Sequence, residues 1–118
     1  MLENKRLVGA QYEQRAVEYL KQLNYHILEC NYHAKTGEID IVAMDEEYLV
    51  FVEVKYRRTI KIGFPEEAVD YRKRKHITRT AKAYLVKFQL SEFTPCRFDV
   101  IVILDNEVKL IKNAFEAV

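Results

Sequence analysis

Glycine and proline are scarce, three and two among 118 residues, which leaves little room for linkers or low-complexity tracts. No apolar run exceeds five residues, too few to span a bilayer. The opening Met1-Leu2-Glu3-Asn4-Lys5-Arg6 leads into no apolar core segment, so no secretory signal is expected. Cys30 and Cys96 stand alone in strand-like stretches without Cys-x-x-Cys spacing. A disulfide scaffold and a structural zinc site are therefore not expected, and reduced thiols in a cytoplasmic protein are. His26, His33 and His76 lack the helical spacing of a histidine metal site. No Ser or Cys sits in a nucleophile elbow, and no Gly-rich phosphate loop is present. What remains is 49% apolar and 31% charged, the profile of one folded domain over residues 1–118.

The net charge is only +1, but it is unevenly spread. Residues 1–54 carry 5 basic and 10 acidic groups, a net of −5. Residues 55–89 carry 11 and 3, a net of +8, and residues 90–118 carry 3 and 5, a net of −2. The central segment can attract a polyanion, or it can be a solvated helix face.

Periodicity predicts the order α-β-β-β-α-β-β, an α/β fold. Over 4–24, Leu7, Ala10, Ala16, Val17, Leu20 and Leu23 crowd one helical face, with Asn24 suited to end it. Glu13 breaks that face: it projects between Ala10 and Val17, where a carboxylate is costly without a partner, unless it reaches water at the stripe's edge. Strands are expected at 25–32, with Tyr25, Ile27, Cys30 and Tyr32 as packing residues and a phase slip between Ile27 and Cys30, then at 38–44 and 48–56. In the second, Ile39, Ile41 and Ala43 should share a face. The third is apolar on both faces and should be central. A helix start at Phe64-Pro65-Glu66-Glu67 opens a pattern running to Phe88, with a break near Asp70. Its buried stripe is Ile77, Ala81, Tyr84, Leu85 and Phe88, opposite Arg72, Lys75, Arg79 and Lys82. Strands over 96–104 and 107–111 close the chain.

Asp40, Glu53 and Lys55 interrupt this apolar pattern. Glu53 and Lys55 share a strand face, ~7 Å apart. A reversal closed by two residues (Glu46-Glu47) or by four (Asp45 to Tyr48) pairs residues whose numbers sum to 93, which sets Asp40 opposite Glu53 on the same face. At ~5 Å and an effective dielectric of ~20, two such charges repel by roughly 3 kcal/mol. A hard divalent cation between them would relieve this, and Lys55 is placed to orient or deprotonate an attacking water.

Gly37-Glu38-Ile39-Asp40-Ile41-Val42, followed by Phe51-Val52-Glu53-Val54-Lys55, resembles the bipartite signature of the PD-(D/E)xK restriction-endonuclease-like superfamily. Nearly the whole chain is similar to its YraN-like bacterial family. The supporting pieces are Gly9 with Tyr19-Leu20, Gly63-x-Pro65-x-Glu67-Ala68-Val69, Ala83-Tyr84-Leu85, Cys96-Arg97-Phe98-Asp99-Val100 and Asn113-Ala114-Phe115. The resemblance implies a central mixed five-stranded sheet flanked by helices. It also implies that Asp40 and Glu53, with the Val54 carbonyl, hold Mg²⁺ or Mn²⁺ while Lys55 assists the water. Related archaeal junction resolvases place a catalytic glutamate on the first helix, which gives Glu13 a role. Ile39 replaces the proline of the superfamily name, and Lys73 and Lys75 occupy the region where some relatives carry a Gln.

The leading expectation is a metal-dependent nuclease acting on DNA, branched or single-stranded DNA included. Arg57, Arg58, Lys61, Arg72, Lys75, Arg79 and Lys82 would hold flanking phosphates. The alternatives are a nucleic-acid-binding module with little turnover and a protein-interaction adaptor. An exposed strand edge or the Asn113-Ala114-Phe115 tail offers a surface for a homodimer. Tyr56 and Tyr71 are candidates for stacking on bases; Tyr84 suits the core better.

Overall fold

The computed structural model describes residues 5–57 and 69–118, with side chains over 9–57 and 69–118. The elements are α1 (Lys5–Gln22), β1 (His26–Ala34), β2 (Gly37–Asp45), β3 (Tyr48–Tyr56), α2 (Tyr71–Lys87), β4 (Cys96–Ile103) and β5 (Val108–Ile111). They form a mixed five-stranded sheet in the order β1-β2-β3-β4-β5, in which only β3 and β4 run parallel. The expected element order and α/β class are realised.

β3 lies at the centre, and its two apolar faces feed two cores. Leu49 and Phe51 join Val42, Ile77, Ala81 and Tyr84 on the α2 side. Val50 and Val52 join Ala16, Val17, Leu20, Ile101 and Ile103 on the α1 side. Burying a side chain of this size contributes ~1.5–3 kcal/mol, so β3 anchors both layers. The parallel β3–β4 pair needs a long crossover, and α2 lies within it.

Local rules explain most boundaries. Asn24 takes φ +68° after α1, as its side chain permits. Asp70 caps α2, accepting the Lys73 N–H at 2.8 Å, so the described helix starts where the break was expected. The expected helix start at Phe64-Pro65-Glu66-Glu67 and the side chain of Leu7 lie outside the described residues. Gly37, at φ +143°, lets α2 approach: a Cβ there would meet Thr80 Oγ1 at 3.3 Å.

Some expectations need correction. Ala10 and Leu23 are exposed; among the described side chains of α1 the buried stripe is Ala16, Val17 and Leu20. Phe88 caps the end of α2 and is 42% exposed instead of completing the stripe, which gains Thr78 and Thr80. Their hydroxyls donate to the carbonyls of Arg74 and His76, so burying them leaves no orphan donor. Cys30, expected to pack, is exposed: after the register slip between Ile27 and Glu29 it pairs with Ile41 on the edge strand β1. Ala114 and Phe115 are buried, Phe115 stacking on Phe98 at 5.0 Å, so these tail residues offer no free surface.

A polar cluster ties the sheet together on the β4 side. Asp99 is fully buried and accepts from Tyr25 Oη (2.9 Å), from Arg97 Nε (2.9 Å) and from the Asn113 N–H (3.0 Å). Arg97 also reaches Asp45 at 2.8 Å. Burial pushes the Asp45 carboxyl up, but its contacts with Arg97 and Lys112 outweigh that and hold it below the usual carboxylate range. Losing Arg97 strands a buried carboxylate. Arg97→Met is expected to cost about 3–5 kcal/mol, whereas Tyr25→Phe, removing one of several hydrogen bonds, costs about 1 kcal/mol. Urea unfolding of both variants checks this order, and equal losses would contradict it.

Candidate functional site

The β2–β3 hairpin has the register read from the sequence, with Ile41 facing Val52 and Asp45 facing Tyr48. The ladder then stops. One step further, Asp40 swings its side chain into the gap, and Oδ2 accepts the Val54 N–H at 2.8 Å. The two strands fork at this point, and a carboxylate takes the place of a backbone carbonyl.

The fork has a second cause on β1. Asn31, which faces Asp40 between the pairs Cys30–Ile41 and Tyr32–Ile39, takes φ +52°. Strict alternation breaks here. Ile39 packs with Val42 on the α2 side, while Ile41 and Ala43 pack on the α1 side. This corrects the expectation that Ile39 shares their face, and it turns Asp40 toward α1. There Asp40 lines a cavity of about 380 Å³ with Gly9, Ala10, Tyr12, Glu13, Asn31, Val54 and Tyr56.

Glu53 comes to the fork from the other core. It is 6% exposed, and its Oε1 receives Lys55 Nζ at 3.3 Å and Lys73 Nζ at 3.4 Å. The two carboxylates feel one another. Burial, and then the charge of Glu53, push Asp40 up to about 7, against the pull of the Val54 N–H. Glu13 is also raised, first by burial and less by Glu38, with the Asn31 side chain working against both.

Asp40 Oδ1 and Glu53 Oε2 have no hydrogen-bond or ion-pair partner among the described residues. No group of three His, Cys, Asp or Glu side chains able to cage a metal occurs among those residues. The donor set is thus two hard oxygens flanked by the Val54 peptide. That fits Mg²⁺ or Mn²⁺, which keep several waters, and does not fit a softer, fully protein-ligated ion. Glu13 shares the cavity with Asp40 and Val54 and stands outside such a cage.

The basic residues divide. Arg72, Lys75, Arg79 and Lys82 line α2 and all four are exposed, and Arg57 is exposed after β3. Arg58 and Lys61 lie outside the described residues. Lys73 reaches the fork from α2; the hint in the sequence is that it and Lys75 stand where some relatives carry a Gln. The sequence does not single out Tyr12 or Asn31 as site residues; adjacency to Glu13 is the signal for Tyr12, and Asn31 carries none.

The raised Asp40 has a stability consequence. The native state holds the Asp40 proton more tightly than the unfolded chain, so this group's contribution falls as pH rises from about 4 to about 7. Asp40→Asn keeps an acceptor for the Val54 N–H and removes the charge. Without metal at pH 8 the variant is expected to be more stable by about 1–3 kcal/mol, a gain that disappears at pH 4. Thermal melts with EDTA at both pH values check the sign. A variant that melts lower at pH 8 would show that the carboxylates do not converge.

Comparison with known proteins agrees with this geometry in extent. The family model described as "Uncharacterised protein family UPF0102" matches residues 12–103. A UPF0102 protein of Lachnoclostridium phytofermentans is 54% identical over 114 residues, covering 97% of both chains. One of Caldicellulosiruptor saccharolyticus is 43% identical, covering 95% of this chain and 99% of its own. One of Acetivibrio thermocellus is 44% identical, with 95% and 93% covered. Matches of this length take in both strands of the fork and the helices on either side of it, and the chain belongs to the UPF0102 family.

Proposed function

We propose that this chain is a divalent-metal-dependent phosphodiesterase acting on DNA. The observation that carries the reading is the fork, where the charge of Glu53 bears on Asp40 beside a lysine–carboxylate pair, and Asp40 Oδ1 and Glu53 Oε2 have no partner among the described residues. Two partly buried carboxylates whose charges bear on one another are costly to a fold unless a cation offsets them. The similarity of Gly37–Val42 and Phe51–Lys55 to the PD-(D/E)xK signature supports the same chemistry.

Asp40 and Glu53, with the Val54 carbonyl, would hold Mg²⁺ or Mn²⁺, which supplies charge stabilisation and an acidified water when bound. The chain's own groups do the rest. Lys55, held by Glu53 at 3.3 Å, orients the attacking water in line with the scissile P–O bond. Lys73, 41% exposed and on the same Glu53 oxygen, is placed to hold a phosphate oxygen at the fork. Glu13 borders the cavity on the α1 side and can accept a proton there. The cations of α2 hold the strand away from the chemistry, as phosphate contacts do.

Cleavage is the direct test. Plasmid, linear, single-stranded and four-way-junction DNA are incubated with and without millimolar Mn²⁺. Metal-dependent cutting is expected, and it should fall at least about 100-fold in Lys55→Ala and in Glu53→Gln. Glu13→Gln should reduce it while leaving the melt unchanged. Binding without any metal-dependent cutting would make the chain a nucleic-acid-binding module instead.

The role of α2 is tested separately. Arg72, Lys75, Arg79 and Lys82 replaced together by Gln should weaken duplex binding. The slope of log K against log salt should shrink by about 0.9 for each phosphate no longer neutralised. An unchanged slope would mean that this face is only solvated.

A further inference from the structure

The α1 side of the fork holds groups that phosphodiester hydrolysis does not need. Tyr12 and Tyr56 stack in parallel, ring centres 4.3 Å apart and planes within 9°. Tyr56 Oη donates to Asp105 Oδ1 at 2.6 Å, which fixes its ring. Both rings line the cavity that Asp40, Glu13 and Val54 also line. Asn31, with both a carboxamide donor and an acceptor, is on the same wall.

Gly9 sharpens the picture. A helix-interior glycine costs ~1 kcal/mol relative to alanine, and close packing is the usual reason to keep one. Here packing is not the reason, because a Cβ built on Gly9 meets nothing within 4 Å. The bare backbone keeps open a space over the cavity one turn before Glu13. An open helix face, a fixed pair of aromatic rings and one carboxamide make a slot for a flat, polar-edged ring.

We propose that this cavity seats an unpaired nucleobase of the substrate strand, stacked on the Tyr12–Tyr56 pair with its edge toward Asn31. The proposal rests on the phosphodiesterase reading, since the cavity's shared walls Asp40 and Val54 put the base on the nucleotide whose phosphate reaches the fork. A base inside a duplex cannot enter. The substrate class is therefore DNA carrying an unpaired nucleotide next to the scissile phosphate, as in single strands, flaps and branch points.

The test uses binding and needs no turnover. A thymidine 12-mer and a fully abasic 12-mer carry equal charge and differ only in their bases. With the intact protein, in EDTA and again with millimolar Ca²⁺, the thymidine strand should bind about 5- to 150-fold more tightly. In Gly9→Leu, which fills the slot from an exposed helix position, the two strands should bind alike. Tyr56→Leu should lose the difference and Tyr56→Phe should keep it, a pair that decides the matter even where Gly9→Leu fails to fold. Equal binding of the two strands by the wild type would overturn the proposal. So would a difference that survives in folded Gly9→Leu or Tyr56→Leu. Discrimination without cleavage under Mn²⁺ would overturn only the phosphodiesterase reading, and cleavage without discrimination only this one.

Discussion

The burial of β3 on both faces is the constraint from which the rest follows. A strand with Leu49 and Phe51 in one core and Val50 and Val52 in the other must be covered by two helical layers. One layer is α1. The other is α2, which lies between β3 and its parallel neighbour β4 in the chain. The same crossover returns Lys73 to Glu53, the charged side chain buried within β3. Packing and chemistry are thus set by a single topological choice. β3 carries its charged groups only where the ladder opens and its apolar run ends.

Alternation made much of this legible. The numbers of paired residues in the β2–β3 hairpin followed from the length of its turn, and the two faces of β3 followed from its residue types. What alternation could not show was Asn31. Asn31 is left-handed opposite Asp40, where β2 breaks its alternation, and no hydropathy pattern has a place for such a residue. So Ile39 was assigned to the wrong face, and Asp40 was expected beside Glu53 when the two approach the fork from different cores. The helical wheel failed at Ala10 and Leu23 for a related reason: it gives the direction of a side chain and says nothing about whether the sheet extends far enough to cover it. Lys73 was visible as a residue of a basic helix, but its reach to Glu53 depends on the crossover and not on the helix itself.

The two helices also divide the electrostatics. α1 brings a carboxylate, a bare backbone position and an aromatic ring to one side of the fork. α2 brings cations to the other. On the proposed reading, a phosphate chain drawn by α2 would meet cationic groups at the Glu53 side, while its neutral, planar parts would meet the Tyr12–Tyr56 side. A near-neutral protein can in this way act on a polyanion without carrying a large net charge.

The irregular path of β1 has an effect far from the fork. Edge strands expose a row of unpaired peptide groups, and a flat row of that kind recruits other chains into fibrils or swapped dimers. β1 is such an edge, yet it slips register between Ile27 and Glu29 and turns left-handed at Asn31. A foreign strand adding there would find its ladder interrupted twice within nine residues. The residue that aims Asp40 toward α1 therefore also guards the sheet against aggregation.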